Sequence, residues 1–199
     1  MKKKYLMINQ MSYANLAQYD QNFLFEINKR LTNYKFIYVC SKLSNLNKLD
    51  QIKILKIYNY SLFKNISIKL INYGLSSLRL VKIISDNKPD LIHFQWIKLH
   101  ILDLFIIIIS KYIFNSKIIF TVHNSKERTN NIFIHKLNKL IFKEIDYFIF
   151  HSFRCRDLFM NNLEIRKENT FIIRHGNLNY KFNKFLPGIN DHKLLNKFY

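Results

Sequence analysis

Four histidines in this 199-residue chain each close a short apolar run. His93 ends Leu91-Ile92-His93, and His123 ends Ile119-Phe120-Thr121-Val122-His123. His151 ends Phe148-Ile149-Phe150-His151, and His175 ends Ile172-Ile173-Arg174-His175. They stand 30, 28 and 24 residues apart. An imidazole donates, accepts or carries charge near neutral pH, which suits recognition of hydroxyls and phosphates. Asn124, Ser152 and Gly176 directly follow three of them and add small polar or backbone groups. Plainer roles compete: His93 as the cap of a buried strand, His151 as a core histidine, and His175-Gly176 as a tight turn. His123-Asn124 has the strongest functional case, because two polar groups follow an apolar strand. A zinc site needs converging ligands, and the tips of separate strands usually spread along a sheet edge, so no metal is expected.

The elements that must carry these residues are legible from periodicity. Tyr5–Ile8, Phe36–Cys40, Ile52–Ile57, Leu91–Phe94, Ile118–Val122, Tyr147–Phe150 and Phe171–Ile173 read as strands. Between them, Tyr13–Leu31, Leu62–Ile84, Ile101–Phe114, Ile132–Phe142 and Arg154–Asn161 read as helices, the second broken near Gly74. Leu16, Phe23, Ile27 and Leu31 recur at helical spacing in the first helix, and Ile134, Leu137 and Ile141 lie on one face of the fourth. Strands alternating with helices give an α/β fold: a Rossmann-like parallel sheet flanked by helices. All strands of such a sheet finish on one edge, where open α/β folds bind their ligands. The spacing therefore predicts that the imidazoles share one rim. Residues 1–177 form the expected domain, and 178–199 a tail of weak periodicity.

Composition narrows the partners. Gly (3) and Pro (2) are too scarce for the many tight turns of an all-β fold. The net charge of +19 implies an anionic partner, although the abundance of Lys, Asn, Ile, Tyr and Phe also fits AT-rich codons. Cys40 and Cys155 are far apart and read as free thiols of a reducing compartment. Met1-Lys2-Lys3-Lys4 is followed by too short an apolar run for a signal peptide, and Ile101–Phe114 is too short to span a bilayer. A cytoplasmic protein is expected. Leu62–Ile84 carries Lys64, Lys69, Arg79 and Lys82 among Leu, Ile and Phe, the pattern of a basic helix at an anionic membrane surface or of a core-facing helix with a solvated basic side. No nucleic-acid-binding signature accompanies the charge.

At these residues the chain resembles glycosyltransferase family 4, retaining enzymes of the two-domain GT-B type. Pro89-Asp90-Leu91-Ile92-His93, Thr121-Val122-His123-Asn124, the strand Tyr147–Phe150 leading to Ser152, and Ile173-Arg174-His175-Gly176 match four elements of its N-terminal domains in order and spacing. The resemblance implies the acceptor-side half of an enzyme that moves a sugar from a nucleotide sugar to a polysaccharide or lipid-linked glycan. It implies His123 near the reacting centre, with Asn124, His93, Ser152, His175 and Gly176 as binding residues. No cofactor is implied beyond the nucleotide-sugar donor as substrate. Work at the inner membrane face is typical of the family.

Two departures stand out. The loop after the first strand is Asn9-Gln10-Met11-Ser12, without the family's glycines, leaving Ser12 as its candidate binding residue or helix cap. The E-x7-E element of the donor-binding half is absent: no pair among Glu26, Glu127, Glu144, Glu164 and Glu168 has that spacing. The expectation is therefore a chain incomplete or inactive alone, either truncated or completed by a second chain. The alternative is a non-catalytic, membrane-associated partner subunit.

Overall fold

The computed structural model describes residues 2–12, 15–46, 49, 51–123, 131–160 and 167–173. Seven strands form one sheet: β1 (Lys3–Asn9), β2 (Tyr34–Ser41), β3 (Ile52–Tyr58), β4 (Leu91–Phe94), β5 (Lys117–Val122), β6 (Tyr147–Phe150) and β7 (Thr170–Ile172). Their order is β3-β2-β1-β4-β5-β6-β7, and every pairing is parallel. The helices are α1 (Asn15–Arg30), α2 (Ile66–Asn87), α3 (His100–Ile108), α4 (Ile132–Glu144) and α5 (Phe153–Met160). The strand order reverses between β1 and β4, which opens a crevice at their carboxyl ends. This is the open Rossmann-like α/β fold that the alternation predicts.

The pleat divides the core in two. Leu6, Ile8, Ile37, Val39, Ile92 and Phe94 pack with α2, α3 and α4. Tyr5, Met7, Phe36, Tyr38 and Cys40 alternate with them and pack with Ala17 and Leu24 of α1. Side chains two apart along a strand share a face. His93, Thr121, His123 and His151 therefore all belong to the α1 face.

Helix ends follow their local chemistry. Asn65 caps α2 by accepting from the amides of Ser67 (2.8 Å) and Ile68 (3.2 Å), and Asn131 does the same for α4. Lys88 ends α2 in the left-handed region (φ 45°), and Pro89 blocks any continuation. The apolar segment expected as one helix over 101–114 is α3 followed by a π-turn over Ile109–Ile113, closed by Asn115 at φ 55°.

One detail corrects the sequence reading. Helix α2 runs unbroken through Gly74, because Tyr73, Leu80 and Ile84 anchor it to the core on both sides. A Cβ at Gly74 would meet nothing within 4 Å. Gly74→Ala is therefore expected to stabilise the protein by about 0.5–1 kcal/mol, read as a higher denaturation midpoint. In α1, Ala17, Asp20 and Leu24 are buried, and Phe23, Ile27 and Leu31 of the expected apolar set are half-buried and pack against the same core. In α4, Asn138, Ile141 and Phe142 are buried, while Ile134 and Leu137 are half-buried.

Candidate functional site

Strands β4, β5 and β6 are neighbours in register, with His93 opposite Ile119 and Val122 opposite Phe150. The residues just past β5 and β6, His123 and His151, therefore lie side by side. Their ring centroids are 5.1 Å apart, and His151 Nε2 is 3.3 Å from His123 Nδ1. His123 Nε2 lies 3.0 Å from Gln95 Oε1, and Gln95 Nε2 lies 3.3 Å from His93 Nε2. His93 also meets Thr121 Oγ1 and the Tyr5 hydroxyl, each at 2.6 Å. One continuous polar chain thus runs along the carboxyl edge across three strands.

The partners constrain the protons. The Ile173 carbonyl, 2.9 Å from His151 Nδ1, can only accept, so His151 carries hydrogen on Nδ1. If Gln95 Oε1 accepts from His123 Nε2, a further proton must lie between His123 Nδ1 and His151 Nε2, and the pair is cationic. A half-turn of the Gln95 amide lets its N–H donate to His123 Nε2 instead, and the pair is then neutral. The same turn brings Gln95 Oε1 to His93 Nε2, so the hydrogen bond there is kept with the His93 proton on Nε2 and the Tyr5 hydroxyl donating to Nδ1. His93 differs: burial first, then the like charge of His123 and His151, lowers its pKa to about 3. It is a neutral imidazole at physiological pH. A folded pKa below the unfolded value means that its contribution is present above about pH 6.5 and is lost as pH falls toward 3.

Aromatic rings fix the imidazole planes. Trp96 stacks on His123 with centroids 4.4 Å apart and planes at 9°. Tyr19 of α1 meets His123 and His151 edge-on at 6.1 and 5.7 Å. Phe23 does the same for His93 at 5.7 Å.

The glycine-free loop after β1 is held by side chains instead. Asn9 Oδ1 accepts from the Met11 amide at 2.9 Å, which makes the turn. On the α1 side, Asn9 Nδ2 donates to Asp20 at 2.6 Å, and the Tyr38 hydroxyl donates to the same oxygen. On the other side, Gln10 Nε2 lies 3.3 Å from Asp103 Oδ1. Asp103 also accepts from the Tyr73 hydroxyl (2.7 Å) and from the amides of Lys98 (2.7 Å) and Leu99 (3.0 Å). Two buried carboxylates thus clamp the loop to α1 and α3.

Burial raises the Asp20 pKa to about 7, against its hydrogen bonds from Tyr38, Asn9 and Ser12. A folded pKa above the unfolded 3.8 means that this contribution is full below about pH 4 and is lost as pH rises through 7. Asp20→Asn cannot ionise. Its melting temperature relative to the parent protein is therefore expected to climb as pH goes from about 4 to about 8. A flat difference across that range would show that Asp20 ionises normally.

Of the site residues expected from sequence, His93 and His123 lie together, and His151 joins them. Ser152 is placed at the start of α5, where its hydroxyl accepts from the Cys155 amide at 3.1 Å. Ser12 is fully buried, 3.4 Å from Ser44 Oγ, and does not join the histidines. Asn124, His175 and Gly176 lie outside the described residues. Gln95, Trp96 and Thr121 stand within or beside the sequence motifs but were not expected as site residues, and neither were Tyr19, Asp20 or Asp103. For Gln95 and Trp96 the signal was their position immediately after β4. Among the described residues, no three His, Cys, Asp or Glu side chains converge as a metal would require.

Comparison with known proteins fits this geometry. No curated protein sequence matches the chain. Among solved structures, a glycosyltransferase from Rickettsia africae superposes with a TM-score of 0.60 at 17% identity, covering 88% of this chain and 43% of that one. The Anabaena protein HepE, solved with UDP and glucose, gives 0.56 at 14%, covering 88% and 45%. A UDP-N-acetylglucosamine 2-epimerase from Listeria monocytogenes, described as putative, gives 0.58 at 9%, covering 86% and 45%. At these identities the likeness concerns the fold, and the chain spans less than half the length of each of these proteins. The model of the family described as glycosyl transferase 4-like matches residues 14–152, most of the folded sheet, and the chain belongs to that family.

Proposed function

We propose that this chain is the acceptor-side half of a GT-B sugar transferase. It orients a polysaccharide or lipid-linked glycan acceptor while a second domain or chain holds the nucleotide sugar. The observation that carries this reading is the His151–His123–Gln95–His93 chain at the carboxyl edge, beside the crevice between β1 and β4. His123 is the group assigned to the reacting centre, where it hydrogen-bonds the transferred sugar or the acceptor hydroxyl as charge develops. Neutral His93 orients Gln95, which orients His123. Asn124, Ser152, His175, Gly176 and Ser12 complete the set assigned to acceptor binding. No resident metal is part of this reading. Residues 1–177 form the acceptor-side domain and 178–199 lead toward the donor half. The setting is the cytoplasm at the inner membrane face. Among the described residues, no helix is long and apolar enough to cross a membrane.

The test is reconstitution. Radiolabelled UDP-, GDP- and TDP-sugars are offered with oligosaccharide and polyprenyl-phosphate-linked acceptors, to this chain alone and with the donor-half polypeptide supplied. Labelled product only when both halves are present supports the reading. Binding without transfer in the presence of an intact donor half would mark the chain as a non-catalytic partner subunit.

A further inference from the structure

The imidazole chain at the carboxyl edge has one part that can turn in place. His151 Nδ1 is tied to the Ile173 carbonyl, and Trp96 and Tyr19 hold the planes of the two rim rings. Gln95 is fully buried between His123 and His93. Its amide accepts at one end and donates at the other, and the two ends are alike in size. A half-turn of the amide therefore fits the same space.

Each orientation dictates the protons on both sides. With Oε1 toward His123, that ring holds its hydrogen on Nε2. A neutral pair would then set the lone pairs of His123 Nδ1 and His151 Nε2 against each other at 3.3 Å, so this orientation goes with the cation. The amide N–H meets a bare His93 Nε2, and the His93 hydrogen sits on Nδ1, donating to Tyr5. With the amide turned, the pair is neutral and Oε1 demands a hydrogen on His93 Nε2. On charging, His123 Nε2 takes one proton from water. His93 gains none and moves its own from one nitrogen to the other.

The surroundings suit that exchange. A hydroxyl stands 2.6 Å from each His93 nitrogen, Thr121 at Nε2 and Tyr5 at Nδ1. Each donates or accepts as it rotates, which gives a proton a way on and off both nitrogens. Burial first raises the pKa of Tyr5 and of Tyr19, which β1 and α1 bring against the imidazoles, so both stay O–H groups. Asp20 of α1 is turned to Asn9 and Tyr38 instead. Burial likewise keeps His93 from taking up a proton itself. A ring that keeps its charge answers its neighbour only by changing tautomer.

We propose that Gln95 is a two-position switch that ties the charge of the His123–His151 pair to the tautomer of buried His93. An oxygen that takes the place of Gln95 at His123 Nε2 then meets an N–H in one state, which suits an anion, and a lone pair in the other, which suits a hydroxyl. The switch is a property of the protein alone and stands without the sugar-transfer reading.

The test is heteronuclear NMR of the full chain with isotope-labelled histidine, titrated from about pH 8.5 to about pH 5. Ring nitrogen shifts separate the two neutral tautomers from each other and from the cation. His93 is expected to pass from Nε2–H to Nδ1–H with the same midpoint as proton uptake by the His123–His151 pair. Gln95→Glu offers an acceptor to both rings. His93 is then expected to stay Nε2–H, and the pair to keep its proton to a pH at least about one unit higher. Gln95→Met is expected to leave the pair titrating and His93 in one tautomer throughout. A His93 tautomer that never changes in the parent protein, changes at a midpoint of its own, or still follows the pair in Gln95→Met would overturn the proposal. So would a pair that takes up no proton across the range. Should either buried substitution prevent folding, the parent spectra decide by themselves. No sugar is present, so failure here and failure of the transferase reading remain separable.

Discussion

Replacing His123 by alanine is expected to lower sugar transfer by the reconstituted enzyme at least about a hundredfold, the usual cost of one well-aimed donor at developing charge. The physical basis is how firmly the ring is held. Trp96 stacks flat against it, Gln95 fixes Nε2, and His151 fixes Nδ1. A ring whose plane is already locked needs little reorganisation when a sugar or acceptor oxygen takes the place of Gln95 at Nε2 and charge develops there. The fold should tolerate the change. His123 is only half-buried, so water can reach the groups that it leaves. A melting temperature within about 2 °C of the parent is expected. His151→Ala is expected to give a smaller loss, because it removes the group that fixes the His123 tautomer and leaves His123 itself. Unchanged turnover in His123→Ala would take this residue out of the mechanism. A loss in His151→Ala as large as that in His123→Ala would assign the pair a joint role.

Asp103→Ala is expected to cost about 3–5 kcal/mol, a large part of the total stability of a domain this size. One carboxylate serves four donors from three places: the amides of Lys98 and Leu99, the Tyr73 hydroxyl of α2, and Gln10 after β1. Alanine leaves them without that acceptor in a fully buried site. Removing the carboxyl also removes a burial penalty, since burial raises its pKa to about 6, so the net cost is largest below that pH. For a chain of this length, at about 2–4 °C per kcal/mol, the loss corresponds to a fall in melting temperature of about 6–20 °C. Asp103→Asn keeps one accepting oxygen and is expected to cost less than half as much. The effect reaches the site as well. The segment tied by Asp103 follows directly after Gln95 and Trp96, so its loosening should widen the imidazole resonances of His123 in NMR spectra. A melt within 2 °C of the parent for Asp103→Ala would show that this carboxylate holds nothing together.

How much of this was written in the residues depends on the range of the interaction. Strand and helix identities rest on local period and β-branched or aromatic runs. Leu91–Phe94 and Tyr147–Phe150 lie where the pattern places them, and the parallel alternation follows. That His93, His123 and His151 share an edge was legible too, because each closes a strand and parallel strands end together. Their pairing was not. It needs the register of β5 against β6, which sets Val122 opposite Phe150 and so brings the next residues, both on the α1 face, side by side. Gln95, Trp96 and Tyr19 reach the site through the path of a loop and the seating of α1, which no local period encodes.

Polarity misleads most where a helix carries apolar residues on both its inner and its outer side. Over residues 62–84 the sequence determines that a helix forms and that it is basic. Which side faces the sheet was decided by tertiary packing: Tyr73, Leu80 and Ile84 fill the core beside Ser76, whose hydroxyl reaches the Ile57 carbonyl at 3.0 Å and the Asn72 carbonyl at 2.8 Å. Once Ser76 finds acceptors inside, Ile71, Leu75 and Leu78 are left to solvent. The chain thus specifies its strands, helices and strand-end histidines by short-range pattern. The joined imidazoles and the outward apolar face arise only when distant segments compete for the same sheet.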